Sequence, residues 1–273
     1  MAAIFKKTFR RKKPIRLACS VSIENEPDHV HSSACFIDIQ PLSIIEIFQS
    51  QGCVSCHPTI PKTLESTTGP NLLLLSYPIT YFDHLGWIDN FANENWGKRQ
   101  KVYVMKWERN SIFTQQVVVD GVADGTGAGQ DEAKEIVRAA RKSRKKLPWH
   151  IVVDTTDIAL RIDSDCMEVR SFEIYLVNYD PKTEVVKLGK GPNKGKKITH
   201  RNLVKEIIKI GDWIGGNLTI ALPDMIQMIG TGWETVAIVQ GSMGGPIVAS
   251  RKVRVDRVFG CTALYVSLSL AMQ

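Results

Sequence analysis

The 273 residues are 44% hydrophobic and 23% charged, the composition of a globular chain long enough for one or two cores. The formal charge is +7, yet residues 1–16 hold Lys6, Lys7, Arg10, Arg11, Lys12, Lys13 and Arg16 with no acid, and the basic residues that remain equal the 28 acids, which disfavours a uniformly basic nucleic-acid face. Six Cys spread along the chain exclude a disulfide-dense scaffold, and no apolar run reaches the ~20 residues of a membrane-spanning helix.

Residues 1–42 read as a basic, poorly ordered leader, punctuated by Pro14, Pro27 and Pro41. It is too charged for a secretory signal, and its lack of acid also suits a mitochondrial transit segment. A cytoplasmic chain with a plain basic tail is the favoured expectation, with a mitochondrial address, or contact of the leader with nucleic acid or a membrane surface, as alternatives.

From Ser43 the pattern changes. "IIEIF" (44–48) is a short apolar run that reads as a buried strand, and a helix is expected to start near Cys53–Pro58. "NLLLLSY" (71–77) is a second buried strand, so the two suggest a parallel βαβ unit. Residues 91–109 have helical spacing, "QQVVVDG" (115–121) is a third strand ending in a hairpin-forming Asp-Gly, and residues 131–146 form a helix with acids first and bases last. Residues 43–147 therefore read as a thioredoxin-like α/β domain. After Pro148, short alternating strands separated by Gly, Pro, Asn and Asp predict a second, all-β domain over 148–257, β-sandwich-like, with one helical insert at 199–213. Residues 258–273 form an uncharged tail.

The chemistry centres on "QGCVSCHP" (51–58). Cys53 and Cys56 are spaced as a dithiol redox pair. At a helix N-terminus a thiolate is stabilised by unpaired N–H groups and the positive dipole end, so Cys53 is the expected attacking thiol and Cys56 the resolving one. The same letters with His57 match a c-type haem attachment signature, but haem needs a second axial ligand and usually a helical setting. Zn or Cu(I) bound by Cys53, Cys56 and His57 with His29, His31 or Cys35 is a further alternative, though adjacent Cys56 and His57 cannot easily face one ion from a helix. "KLGKGPNKGKK" (187–197) misses the Walker spacing and reads as a Lys-rich glycine loop, with anion binding as its alternative. The basic run 138–146 reads as a solvated helix end.

"IIEIFQSQGCVSC", "LLLLSYPITYFDHLGWIDNFA", "FTQQVVVDG" and "VVKLGKGPNKGKKITHRNLVKEI" follow one another in an order that resembles a domain-of-unknown-function family of thioredoxin-like proteins, common as exported bacterial proteins and present in eukaryotes. The resemblance spans about residues 43–250 and implies a dithiol at Cys53 and Cys56, with an aromatic segment at Tyr81, Asp83, Leu85, Gly86, Trp87, Asp89 and Phe91. It implies no settled reaction. The chain departs from the family pattern at Pro78, Thr80 and Phe82, where the pattern has His, Asp and Trp. His57 replaces a Pro and places an imidazole beside Cys56. Gln115, after Thr114, replaces a Pro that is typically cis beside the dithiol; without it a trans bond is expected, since a cis bond outside proline costs ~3 kcal/mol. The expected function is thiol–disulfide exchange by Cys53 and Cys56, with His57, Trp87, Thr114 and Gln115 facing a protein or small-molecule thiol or disulfide, and with no cofactor. The alternative is a non-catalytic interaction protein whose dithiol is structural.

Overall fold

The structure, a computed structural model, describes residues 41–156, 158–167, 170–223 and 232–253. The leader's basic residues, His29, His31, Cys35 and the 258–273 tail lie outside the described residues.

Strand β1 (Ser43–Gln49) is buried at every position, which suits a run of Ile and Phe placed mid-sheet. Helix α1 (Cys56–Ser66) carries the chain to β2 (Leu72–Pro78), which pairs in parallel with β1 from Ser43↔Leu72 to Gln49↔Pro78. Helix α2 (Glu94–Lys106) opens on Asn93, whose side chain accepts the Asn95 N–H. Strand β3 (Gln116–Val119) runs antiparallel to β1 and turns into β4 (Ala123–Gly125). Asp120 and Gly121 hold that turn with φ of 50° and 63°, the left-handed values that an Asp-Gly hairpin turn requires. Helix α3 (Gln130–Arg144) has Asp131 and Glu132 in its first turn and Arg141, Lys142 and Arg144 in its last, complementing its dipole.

The remaining elements are β5 (Ile151–Thr155), β6 (Ala159–Ser164), β7 (Phe172–Lys187), β8 (Lys197–Trp213), β9 (Leu218–Ala221), β10 (Glu234–Gly241) and β11 (Ile247–Val253). They correct the expected fold class. In place of a thioredoxin-like domain followed by a β-sandwich, one mixed eight-stranded sheet runs β11-β10-β7-β8-β2-β1-β3-β4, with a three-stranded sheet β5-β6-β9 beside it. The described part is mostly sheet, with three α-helices.

The segment expected as a helix, 199–213, supplies β8. Its Ile and Val at irregular three- and four-residue intervals mimic a helical stripe. Its β-branched residues instead pair along β7 from Phe172↔Trp213 to Lys187↔Lys197, a ladder interrupted by register shifts at Ile174/Tyr175, Asn178/Tyr179 and Asp180/Thr183. β8 then meets β2 at Ser76↔Leu203, and side chains lock the seam: Ser76 Oγ donates to the Arg201 carbonyl at 2.7 Å and Asn202 Nδ2 to the Leu74 carbonyl at 2.7 Å.

Three apolar clusters follow. One joins α2 to the sheet through Phe48, Tyr77, Trp96, Tyr103 and Ile238. One lies between the small sheet and strands β7, β8, β10 and β11 around Trp149, Phe172 and Trp213. The third packs α1 and α3 on β1–β3 and includes both Cys53 and Cys56. An ion pair is buried in the first: Arg99 Nε donates to Glu46 Oε1 at 2.5 Å, Tyr103 donates its hydroxyl to Glu46 Oε2, and Gln240 of β10 bonds both Arg99 and Tyr103. This network ties β1, α2 and β10 together, so both halves of the chain meet around one carboxylate.

Candidate dithiol site

The site lies where β1 ends and α1 begins. Cys53 and Cys56 form a disulfide, their Cα atoms 5.3 Å apart. Helix α1 has no side-chain cap and no acid in its first turn. Its Cys56 N–H instead points at Cys53 Sγ, 3.1 Å away. A negative charge on that sulfur is therefore met by a backbone donor and the positive helix end. Ser55 Oγ lies 3.2 Å from the same sulfur.

The strand entry to β3 faces the pair. Cys53 Sγ lies 3.4 Å from the Thr114 carbonyl oxygen, and Cys56 Sγ lies 3.4 Å from Thr114 Oγ1. The Thr114–Gln115 peptide is cis, which corrects the trans bond expected there. The expectation rested on the intrinsic preference of a non-proline residue, and the packing around the loop overrides it. Gln115 is buried and bridges to α1: it donates to Thr63 Oγ1 at 2.9 Å and accepts from Thr59 Oγ1 at 2.8 Å. Thr114 is thus brought to the disulfide, while the Gln115 side chain turns to α1. His57 follows Cys56 in the first turn, partly exposed. Trp87 stands further out, its ring tilted 36° to that of Phe82 with centroids 5.9 Å apart, and it packs against the Gly52 side of the loop.

Both cysteines are covered, Cys53 at 1% exposure and Cys56 at 0%. Two polar side chains hold the loop that leads to them. Asp89 accepts the Gln51 N–H at 2.9 Å and the Phe91 N–H at 2.9 Å. Burial nonetheless pushes its carboxyl up to about 6, against those bonds, and Asp83 nearby raises it further. Asn193, 0% exposed, donates from Nδ2 to the Gln51 carbonyl at 3.0 Å and to the Cys53 carbonyl at 2.8 Å. It sits in the tip of the β7–β8 hairpin, the Lys-rich glycine loop. Gly191 of that tip has φ 71° and lies so near Trp87 that a Cβ would come within 2.8 Å of the indole. The loop is therefore a cover on the dithiol segment and lacks a phosphate-loop form.

Below it, Gln49 Nε2 donates to His200 Nδ1 at 2.6 Å. Burial pushes the imidazole down to about 4, so it is neutral. Among the described residues, His200 Nε2, Gln49 Oε1 and Gln51 Nε2 are buried with no hydrogen-bond partner. Asn193 and His200 escaped sequence reasoning because they come from 140 or more residues away. The one available signal was the Asn inside "GKGPNKGK", a lone uncharged amide donor in a loop of Gly and Lys.

Among the described residues no group of three or more His, Cys, Asp or Glu is placed to hold a metal ion, and no helix is long and apolar enough to cross a membrane.

A crystal structure of a protein from Agrobacterium tumefaciens is similar over 80% of this chain and 96% of its own, with a TM-score of 0.63 and 21% identity. HBP35 of Porphyromonas gingivalis is similar over 80% of this chain and 76% of its own, with a TM-score of 0.51 and 10% identity. Both are likenesses of fold. No curated protein matches the chain. A family profile described as a protein of unknown function matches residues 44–240, most of the chain, and the protein therefore belongs to the DUF1223 family.

Proposed function

We propose that Cys53 and Cys56 are a redox-active pair that exchanges with thiols or disulfides of a partner. The observation that carries this is the Cys56 N–H directed at Cys53 Sγ at the uncapped start of α1. In the reduced protein, the Cys53 thiolate attacks a partner disulfide, forming a mixed disulfide and releasing one partner thiolate. The Cys56 thiolate then attacks Cys53 Sγ, closing the disulfide and releasing the second partner thiolate. Two electrons pass from protein to partner, and the reverse sequence oxidises a partner dithiol. Thr114 Oγ1, 3.4 Å from Cys56 Sγ and 3.4 Å from the Phe48 carbonyl it donates to, supports a role for this hydroxyl in turning to the sulfur as its charge changes.

Burial of both sulfurs favours a second reading, a structural disulfide in an interaction protein. Equilibration in glutathione buffers, read by alkylation and mass spectrometry, separates the two. A redox-active pair equilibrates within minutes at about −120 to −270 mV, and Cys56→Ser accumulates a mixed disulfide on Cys53. A pair that stays oxidised below about −300 mV, or never exchanges, is structural and refutes the proposal.

A further inference from the structure

The Lys-rich loop was left without a role by the dithiol chemistry, and its position gives it one. Residues 185–205 hold seven Lys and Arg and no acid. Lys187 and Lys197 face each other at the base of the β7–β8 tip, and Lys190, Lys194 and Lys196 lie on the tip itself. All five are exposed. Lys196 bonds Asn193 Oδ1 at 3.2 Å. Among the described residues Lys187, Lys190, Lys194 and Lys197 make no ion pair. Asn193 fastens this tip to the Cys53 peptide, so the cations stand beside the disulfide.

A cavity of about 290 Å³ opens between the tip and the dithiol loop, with Gly52 and Trp87 on one side and Lys187 and Lys190 on the other. The two acids of the neighbouring loop do not answer those cations. Asp89 is buried on backbone N–H groups, and Asp83 accepts the Asp89 N–H at 3.2 Å. On the dithiol loop and the 81–88 loop, Val54, Leu85 and Ile88 are exposed at 56%, 49% and 67%. An apolar rim and a basic apron therefore flank one disulfide.

Resting on the redox reading, we propose that the partner is a polypeptide whose cysteines are flanked by acidic residues, with an apolar side chain meeting the rim and carboxylates meeting Lys187, Lys190 and Lys194. The chemistry is the exchange already written, with the partner's own cysteines as the electron donor or acceptor. The cations lie on both arms and the tip of a hairpin, and the rim is on another loop, a breadth that a small anion in the 290 Å³ cavity would leave largely unused. Concentrated unpaired charge beside a reactive centre raises association rates by 10-fold or more at low salt.

The test uses two disulfide-cyclised peptides, one with Glu and one with Gln around the cysteines, and a Ser-for-Cys version of the Glu peptide for binding by anisotropy. In about 20 mM salt the wild-type protein exchanges with the Glu peptide at least about tenfold faster than with the Gln peptide, and this ratio falls toward one in about 500 mM salt. In the Lys187→Glu, Lys190→Glu, Lys194→Glu variant the ratio also falls toward one, and binding of the Ser peptide is lost. A ratio near one in the wild type at low salt, with exchange against uncharged oxidised dithiothreitol intact, overturns this inference and leaves the redox reading standing. Binding of the Ser peptide without any exchange with dithiothreitol overturns the redox reading and leaves the acidic partner standing.

Discussion

Asn193 is the residue through which the C-terminal half reaches the disulfide, and its removal has a calculable cost. Its Nδ2 group donates to the Gln51 and Cys53 carbonyls at 3.0 and 2.8 Å in a fully buried setting. Asn193→Ala leaves the two carbonyl acceptors without that donor. Each unsatisfied buried group costs about 1–3 kcal/mol, so the loss is about 2–4 kcal/mol once partial relaxation is allowed. Asn193→Asp is the sharper variant, because it keeps the shape and removes both N–H donors. Urea unfolding of the oxidised protein measures the change as a fall in midpoint at constant slope. Hydrogen exchange at Cys53 and Val54 locates it, with protection falling there before it falls in β1. A change below about 0.5 kcal/mol, the usual range of surface substitutions, would refute the claim that this side chain holds the dithiol loop.

Three more outcomes follow from the buried polar groups. Glu46→Gln strips the charge from a carboxylate that binds Arg99 and Tyr103 at the meeting point of β1, α2 and β10; leaving Arg99 without its counter-charge is expected to cost about 3–5 kcal/mol by urea unfolding, and a loss under about 1 kcal/mol would show that the pair does not join the two halves. His200 has a folded-state value near 4 against an ordinary 6.5, so its contribution to stability is present above the ordinary value and is lost as pH falls toward 4, on the order of 3 kcal/mol in all; its ring proton resonances should stay fixed from about pH 8 to 5.5, and a midpoint near 6.5 would refute its burial in neutral form. Asp89 acts with the opposite sign: its carboxyl is raised to about 6, so its contribution is present below the ordinary 3.8 and is lost as pH rises through 6, which flattens the net acid dependence between the two values.

Elements whose signal is local were legible in the residues. β1 and β2 announce themselves as continuous apolar runs because they are buried on both faces, and α3 does so because its acids and bases sort themselves along the dipole. The dithiol was visible because both sulfurs come from one turn of chain. β8 was not, because its alternation is blurred by the exposed stretch of a long hairpin, and only pairing with β7 along its length decides for strand over helix. The cis Thr114–Gln115 bond could not be read from residue type, which argues for trans.

The sequence by itself determined the strands of the N-terminal half, the position of Cys53 and Cys56 at the start of a helix, and the concentration of lysine at 187–197. Tertiary structure alone decided that one sheet takes strands from both halves, that Asn193 and His200 come to the cysteine loop from the far end of the chain, and that the lysines stand beside the disulfide. The physical reason is that backbone pairing and burial of amides are satisfied across distances in sequence that no local pattern encodes.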